Sequence, residues 1–157
     1  MADTVDKATR SRIMARVRSK NTTQELRLRH ALHARGLRYR LHDATLPGTP
    51  DLVLPGPKTV VFVNGCQWHW HGCTRSRMPA TNRPYWEAKI ARNQARDQAN
   101  LNALVALGWR VLIVWECALK SSLLDSTADE GAEWIRTDND GATVHVIPGA
   151  SVETAGN

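Results

Sequence analysis

The segment FVNGCQWHWHGC, residues 62 to 73, limits what this chain can fold into more than any other stretch. A hydrophobic run ends here in eight positions that hold two Cys, two His and two Trp. Cys66, His71 and Cys73 are spaced C-x4-H-x-C, and the one remaining cysteine, Cys117, comes just after the apolar run Trp109 to Trp115. Thiolate and imidazole are the donors that Zn2+ takes in closed tetrahedral sites, and three Cys with one His complete such a set. Cys66 has the opposite strand parity to His71 and Cys73, so the chain must bend for all three to converge. Gly65 and Gly72 permit the bend. Four protein ligands leave no position for water, so this zinc would be structural. Its binding would stabilise the fold by ~10 kcal/mol or more.

At 157 residues the chain suits one domain with its own core. Its three cysteines cannot all pair, which favours metal binding or inert burial over a disulfide framework. No apolar run approaches the ~20 residues of a membrane span, and MADTVDKATR lacks the apolar stretch of a signal peptide. A cytoplasmic protein is expected. Charge is unevenly placed: residues 1–40 carry eleven Lys and Arg against three acids, whereas residues 121–157 carry one Arg against seven acids. A solvated helix surface would account for the first block, and so would attraction of a polyanion by counterion release. Six Trp in so short a chain tilt the choice toward nucleic acid.

Periodicity and punctuation predict the elements. Residues 6–19 read as a basic helix or arm. Thr22-Thr23-Gln24-Glu25 fits a capping box opening a helix to about residue 35, stopped by Gly36. Leu37, Tyr39 and Leu41 alternate with Arg38, Arg40 and His42, as in a half-buried strand. Residues 51–54 and 59–63 are further strands joined through the turn Pro55-Gly56-Pro57. A long helix over 84–107, a buried strand over 109–115, a weaker helix near 127–136 and a strand-like 143–147 complete the order. The sum is an α/β fold, one mixed central sheet with helices on its faces.

His69 lies outside the proposed zinc set. Asp51 gives it company, because adjacent antiparallel strands would bring Asp51 close to residues 63 and 64. A carboxylate at a sheet edge in a basic chain suits Mg2+ and phosphodiester cleavage, with His69 as general base. Glu25 has two readings of equal weight, as a member of the capping box and as a group facing the same point.

"GTPDLVL", "VFVNGCQWHWHGC", "YWEAKIARNQARD" and "LGWRVLIVWEC" together resemble the very short patch repair endonucleases, Vsr, over about residues 6–120. The resemblance implies a restriction-endonuclease-like fold in a single domain over 1–157, with 1–20 as a basic arm and 121–157 as a family-variable tail. It implies nicking of double-stranded DNA 5′ to the T of a T:G mismatch left by deamination of 5-methylcytosine. Mg2+ would be held by Asp51 and the backbone carbonyl of Val63, with His69 catalytic and Glu25 supporting the site through water. Cys66, His71, Cys73 and Cys117 match the structural zinc ligands. Trp68 and Trp86 correspond to an aromatic wedge beside the mismatch, which is cheaper to unstack than a matched step. Met14, Arg10, Arg12 and Arg16 of the arm would contact DNA, and Arg75, Arg77 and Arg83 its phosphates. Trp109 and Trp115 bracket a buried strand and are assigned to the core. A monomer suits an asymmetric lesion, and other repair proteins are potential partners.

Two positions depart from the family. An ionisable residue is common where this chain has Asn64, and Phe is usual where it has Gln67. Asn64 can orient water or phosphate but cannot act as acid, base or anionic ligand. Gln67 stacks less than Phe but can hydrogen-bond a base edge. Trp70 either restores aromatic surface or packs against the zinc loop. Asn64 is the reason to weigh an alternative, a zinc-stabilised mismatch-binding protein with weak or no cleavage. A restriction-type nuclease, cutting both strands of a matched site, is a third reading.

Overall fold

The computed structural model describes residues 21–67, 69–73, 76–137 and 141–149. The expected arm with Arg10, Arg12, Met14 and Arg16, together with Trp68 and Arg75, lies outside the described residues.

Helix α1 spans Thr23–Ala34, with Thr22 as its N-cap. The Thr22 hydroxyl accepts the Glu25 N–H at 3.2 Å, as in a capping box. The return bond differs from expectation: the Glu25 carboxylate takes the N–H of Asn21, one residue earlier, at 3.3 Å. Strands β1 (Arg40–Leu41), β2 (Leu52–Leu54) and β3 (Thr59–Asn64) follow, then helix α2 (Arg83–Ala106) and strand β4 (Arg110–Trp115). A 3-10 turn over Glu116–Leu119 leads to helix α3 (Leu124–Arg136) and strand β5 (Val144–Ile147).

The sheet order is β1-β2-β3-β4-β5. The first three strands run antiparallel, and β3-β4 and β4-β5 run parallel. Parallel pairing needs a crossover, and α2 and α3 supply the two required. Leu28 and Leu32 of α1, with Trp134 and Ile135 of α3, pack on Leu52, Leu54, Val61, Leu112 and Val114. Leu104 of α2 covers Val53, Val60 and Val111 on the other side. Strand alternation divides these residues between the two faces, giving helices on both sides of a mixed sheet. The residues after 120, expected as a family-variable tail, contribute α3 and β5 to the same core.

Two expectations change. The strand read over residues 37–42 is reduced to Arg40–Leu41. Its alternation also breaks: Leu41 is exposed, while His42 turns inward with a left-handed φ of 48°. The reason is the buried carboxylate of Glu25, which His42 meets at 2.9 Å. The expected bend between Cys66 and Cys73 is made by Trp70 (φ 52°) and Gly72 (φ 85°), whereas Gly65 has no left-handed φ.

Candidate active site and metal centre

The tight turn over 55–58 sets the register in which Leu52 faces Val61, so Asp51 leaves β2 beside the last residues of β3. The Val63 N–H donates to Asp51 Oδ2 at 2.8 Å. A residue's N–H and C=O leave an antiparallel strand on the same side, so the Val63 carbonyl faces Asp51 as well. Glu25 reaches the same place from α1: the ligand atoms of Glu25, His42 and Asp51 all lie within 4.8 Å of one another. Glu25 thus stands beside Asp51 while it also caps its own helix. Its carboxylate caps α1, pairs with Arg29 at 3.0 Å and meets His42.

Burial raises the Asp51 carboxyl to about 7, against the Val63 amide, which favours the ionised form; the nearby Glu25 carboxylate adds to the rise. A divalent cation beside the Asp51 carboxylate would favour its ionised form. The Asp51 and Glu25 oxygens form a hard donor set.

His69 sits across the same cleft. Its Nδ1 is 2.5 Å from Oδ2 of Asp97, which projects from α2. A carboxylate oxygen accepts, so this contact orients the imidazole through its Nδ1 edge. The cleft encloses about 670 Å³ and is lined by Asp51, Val63, Asn64, His69 and Asp97, with Arg96 and Asn100 from α2. Asp51, Asn64 and His69 are thus brought to one cavity.

The four residues expected to ligate a metal also converge. Donor atoms of Cys66, His71, Cys73 and Cys117 lie within 4.8 Å of one another, and the three cysteines are buried. The His71 Nδ1 is 3.6 Å from Cys66 Sγ and 3.5 Å from Cys117 Sγ. Tetrahedral Zn2+ with ordinary bond lengths would set sulfur and nitrogen about 3.6 Å apart. Burial lowers the His71 pKa, favouring the neutral ring that ligates metals, and pushes the Cys66 thiol upward until a cation is present. Gly149 comes so close that a Cβ there would stand 2.7 Å from Cys117 Sγ. Only glycine fits.

Of the expected DNA-contacting residues, Trp86 is half-buried, set edge to face against exposed Tyr85 at 5.3 Å, with Lys89 Nζ 5.4 Å from its ring. Arg77 is exposed, and Arg83 pairs with Glu87 at 2.8 Å. The Gln67 carboxamide is bonded at both ends to the backbone of Arg77.

Sequence reading missed Asp97, one polar residue among many on a long helix. It read His42 as an outward strand residue. It also assigned Trp115 to the core, whereas the indole packs against the cysteine cluster and stacks on His71. The spacing of Asp97 from Trp86, three helical turns along one α2 face, is the signal that was available.

These features define a class: a mixed α/β protein with a buried carboxylate and a carboxylate-oriented histidine facing one cleft, beside a Cys3His cluster able to hold a metal. A family model described as DNA mismatch endonuclease Vsr matches residues 2–75. The DNA mismatch endonuclease Vsr of Escherichia coli (strain K12) is 46% identical over 138 residues, covering 86% of this chain and 88% of that protein. The type II nicking enzyme V.XorIIP of Xanthomonas oryzae pv. oryzae is 49% identical over 119 residues, covering 76% and 88%. V.NmeAIP of Neisseria meningitidis, also a type II nicking enzyme, is 40% identical over 124 residues, covering 79% and 89%. The chain belongs to the Vsr family of DNA mismatch endonucleases.

Proposed function

We propose that the protein is a Mg2+-dependent endonuclease that nicks double-stranded DNA 5′ to the T of a T:G mismatch left by 5-methylcytosine deamination. One observation carries this reading: Asp51, fixed by the Val63 amide, and His69, fixed by Asp97, face a single cleft. Relatives named as mismatch endonuclease and nicking enzymes support it. Asp51 and the Val63 carbonyl would hold Mg2+, with Glu25 supporting through water. The bound ion supplies charge neutralisation at the phosphate and polarises the attacking water. His69 accepts the proton of that water at Nε2, and Asp97 holds the ring orientation and stabilises the imidazolium. Asn64 orients water or phosphate by hydrogen bonding and adds no charge.

Cys66, His71, Cys73 and Cys117 would hold a structural Zn2+, since the set leaves no open position. The order of antiparallel β1-β3 followed by a helix and parallel β4 supports a restriction-endonuclease-like single domain over 1–157. The basic residues 1–20 would close on the duplex through Arg10, Arg12, Met14 and Arg16, Trp68 and Trp86 would wedge beside the mismatch, and Arg75, Arg77 and Arg83 would meet phosphates. The enzyme acts as a cytoplasmic monomer in this reading. Among the described residues, no helix is long and apolar enough to cross a membrane.

The test uses end-labelled duplexes, T:G-mismatched and matched, in several sequence contexts, with Mg2+ or with EDTA. A Mg2+-dependent single nick 5′ to the mismatched T is expected. Asn64 favours one other reading, a mismatch-binding protein. Tight mismatch-selective binding without a cut in any context would establish that reading instead.

A further inference from the structure

We infer that Gln67 is a positioning residue, a clamp that closes the loop bearing His69, and that it does not read a base. The proposal rests on the nicking reading above. Gln67 Nε2 donates to the Arg77 carbonyl at 2.7 Å, and its Oε1 accepts the Arg77 N–H at 2.7 Å. A carboxamide is a peptide group in miniature, and this pair has the donor-acceptor pattern of an antiparallel bridge. The neighbouring residues repeat the tie. Ser76 Oγ donates to the Cys66 carbonyl at 2.6 Å and accepts the Gly72 N–H at 3.0 Å. Residues 66 and 67 are thus fastened to residues 76 and 77 by side-chain bonds that need no metal.

His69 lies inside this closure. Its own N–H donates to the Gly65 carbonyl at 3.1 Å, and its ring reaches Asp97. The cysteine-histidine cluster ties the loop to the sheet through Cys117, and the Cys73 carbonyl accepts the Ser76 N–H at 2.9 Å. The bonds to Arg77 come from the Gln67 clamp. To reach a base edge, Gln67 would have to abandon both Arg77 groups, and neither Phe nor another apolar side chain in its place could satisfy them.

Gln67→Met keeps the length and removes both bonds, and Gln67→Glu keeps only the acceptor. The clamp predicts that Gln67→Met lowers kcat about tenfold or more, equally in every flanking context, with KM for DNA within about threefold. Gln67→Glu should fall between. Without any nicking, amide exchange at Arg77 should accelerate in Gln67→Met, and the ring proton shared by His69 and Asp97 should broaden in NMR spectra. Circular dichroism and zinc content serve as controls for folding. An unchanged kcat, a loss confined to one flanking base pair, or an unaltered Arg77 amide would each overturn the proposal. Failure of the wild type to nick would overturn the proposed function alone, because the two NMR readouts still decide the clamp.

Discussion

The imidazole of His71 lies flat on the indole of Trp115, with ring centroids 4.3 Å apart and planes 9° from parallel. The same indole meets the ring of His69 edge on at 6.3 Å. Trp115 therefore meets both the cysteine-histidine cluster and His69. It stands at the end of β4, paired with Asn64 at the end of β3, so the sheet itself sets its place.

Replacing that indole should disturb both sites together. Trp115→Leu is expected to cost about 3 kcal/mol of stability and to speed zinc loss to a chelator. Nicking should fall in the zinc-loaded fraction as well. Thermal unfolding alongside a chromogenic chelator assay separates the effects, and unchanged zinc-release kinetics would remove Trp115 from the metal site.

Asp51 gives a pH prediction whose sign is set by its raised pKa. In the metal-free protein the folded state keeps a proton until about pH 7, whereas the unfolded chain releases it near the ordinary carboxylate value of about 4. Between those values the unfolded state binds fewer protons, so stability is present below about pH 4 and declines as pH rises toward about 7. Asp51→Asn should flatten this decline and raise Tm at neutral pH by roughly 3 °C or more, while abolishing nicking. The rise in Tm on adding Mg2+ to the wild type should grow with pH up to about 7, because the ion must displace that proton. A Tm gain from Mg2+ that ignores pH would exclude Asp51 as the ligand.

Asp97→Asn keeps the shape of the His69 partner but loses its charge and frees the other ring tautomer. A fall in kcat of roughly 10²-fold or more is expected, with mismatch affinity nearly unchanged. Single-turnover nicking measured beside a binding titration resolves this, and equal losses in both would mark Asp97 as merely structural.

Cys117→Ser removes one ligand of the buried cluster and leaves three. Zinc should be lost, and the protein should unfold at much lower temperature, since binding energy at such sites is folding energy. Full zinc occupancy in the purified variant, measured by atomic emission, would contradict the four-ligand set.

His42→Ala should leave the buried Glu25 carboxylate short of a partner. The expected cost is about 1–3 kcal/mol, with His42→Gln recovering part of it. Urea unfolding of the two variants measures the difference.

Much of this arrangement was legible in the residues alone. The turn at Pro55-Gly56-Pro57 and the apolar runs on either side determined that β2 and β3 pair, and that pairing placed Asp51 beside Val63. The spacing of Cys66, His71 and Cys73 with a lone Cys117 pointed to one four-residue cluster, and the fold brings their donor atoms within 4.8 Å of one another. Among the described residues, hydrophobic period and punctuation located the three helices to within a few residues. These are local signals, and a local signal reports which face of an element is apolar. Which polar side chain on that element meets which neighbour depends on how the elements dock. Asp97 stands opposite His69 only because α2 crosses the sheet at one angle, and His42 turns to Glu25 only because α1 buries a carboxylate there. Trp115 stacks on His71 because the loop folds back over β4, and Gln67 closes on Arg77 ten residues away. Tertiary structure decided these four partnerships, since each joins groups whose attraction exists only after the backbone has brought them together.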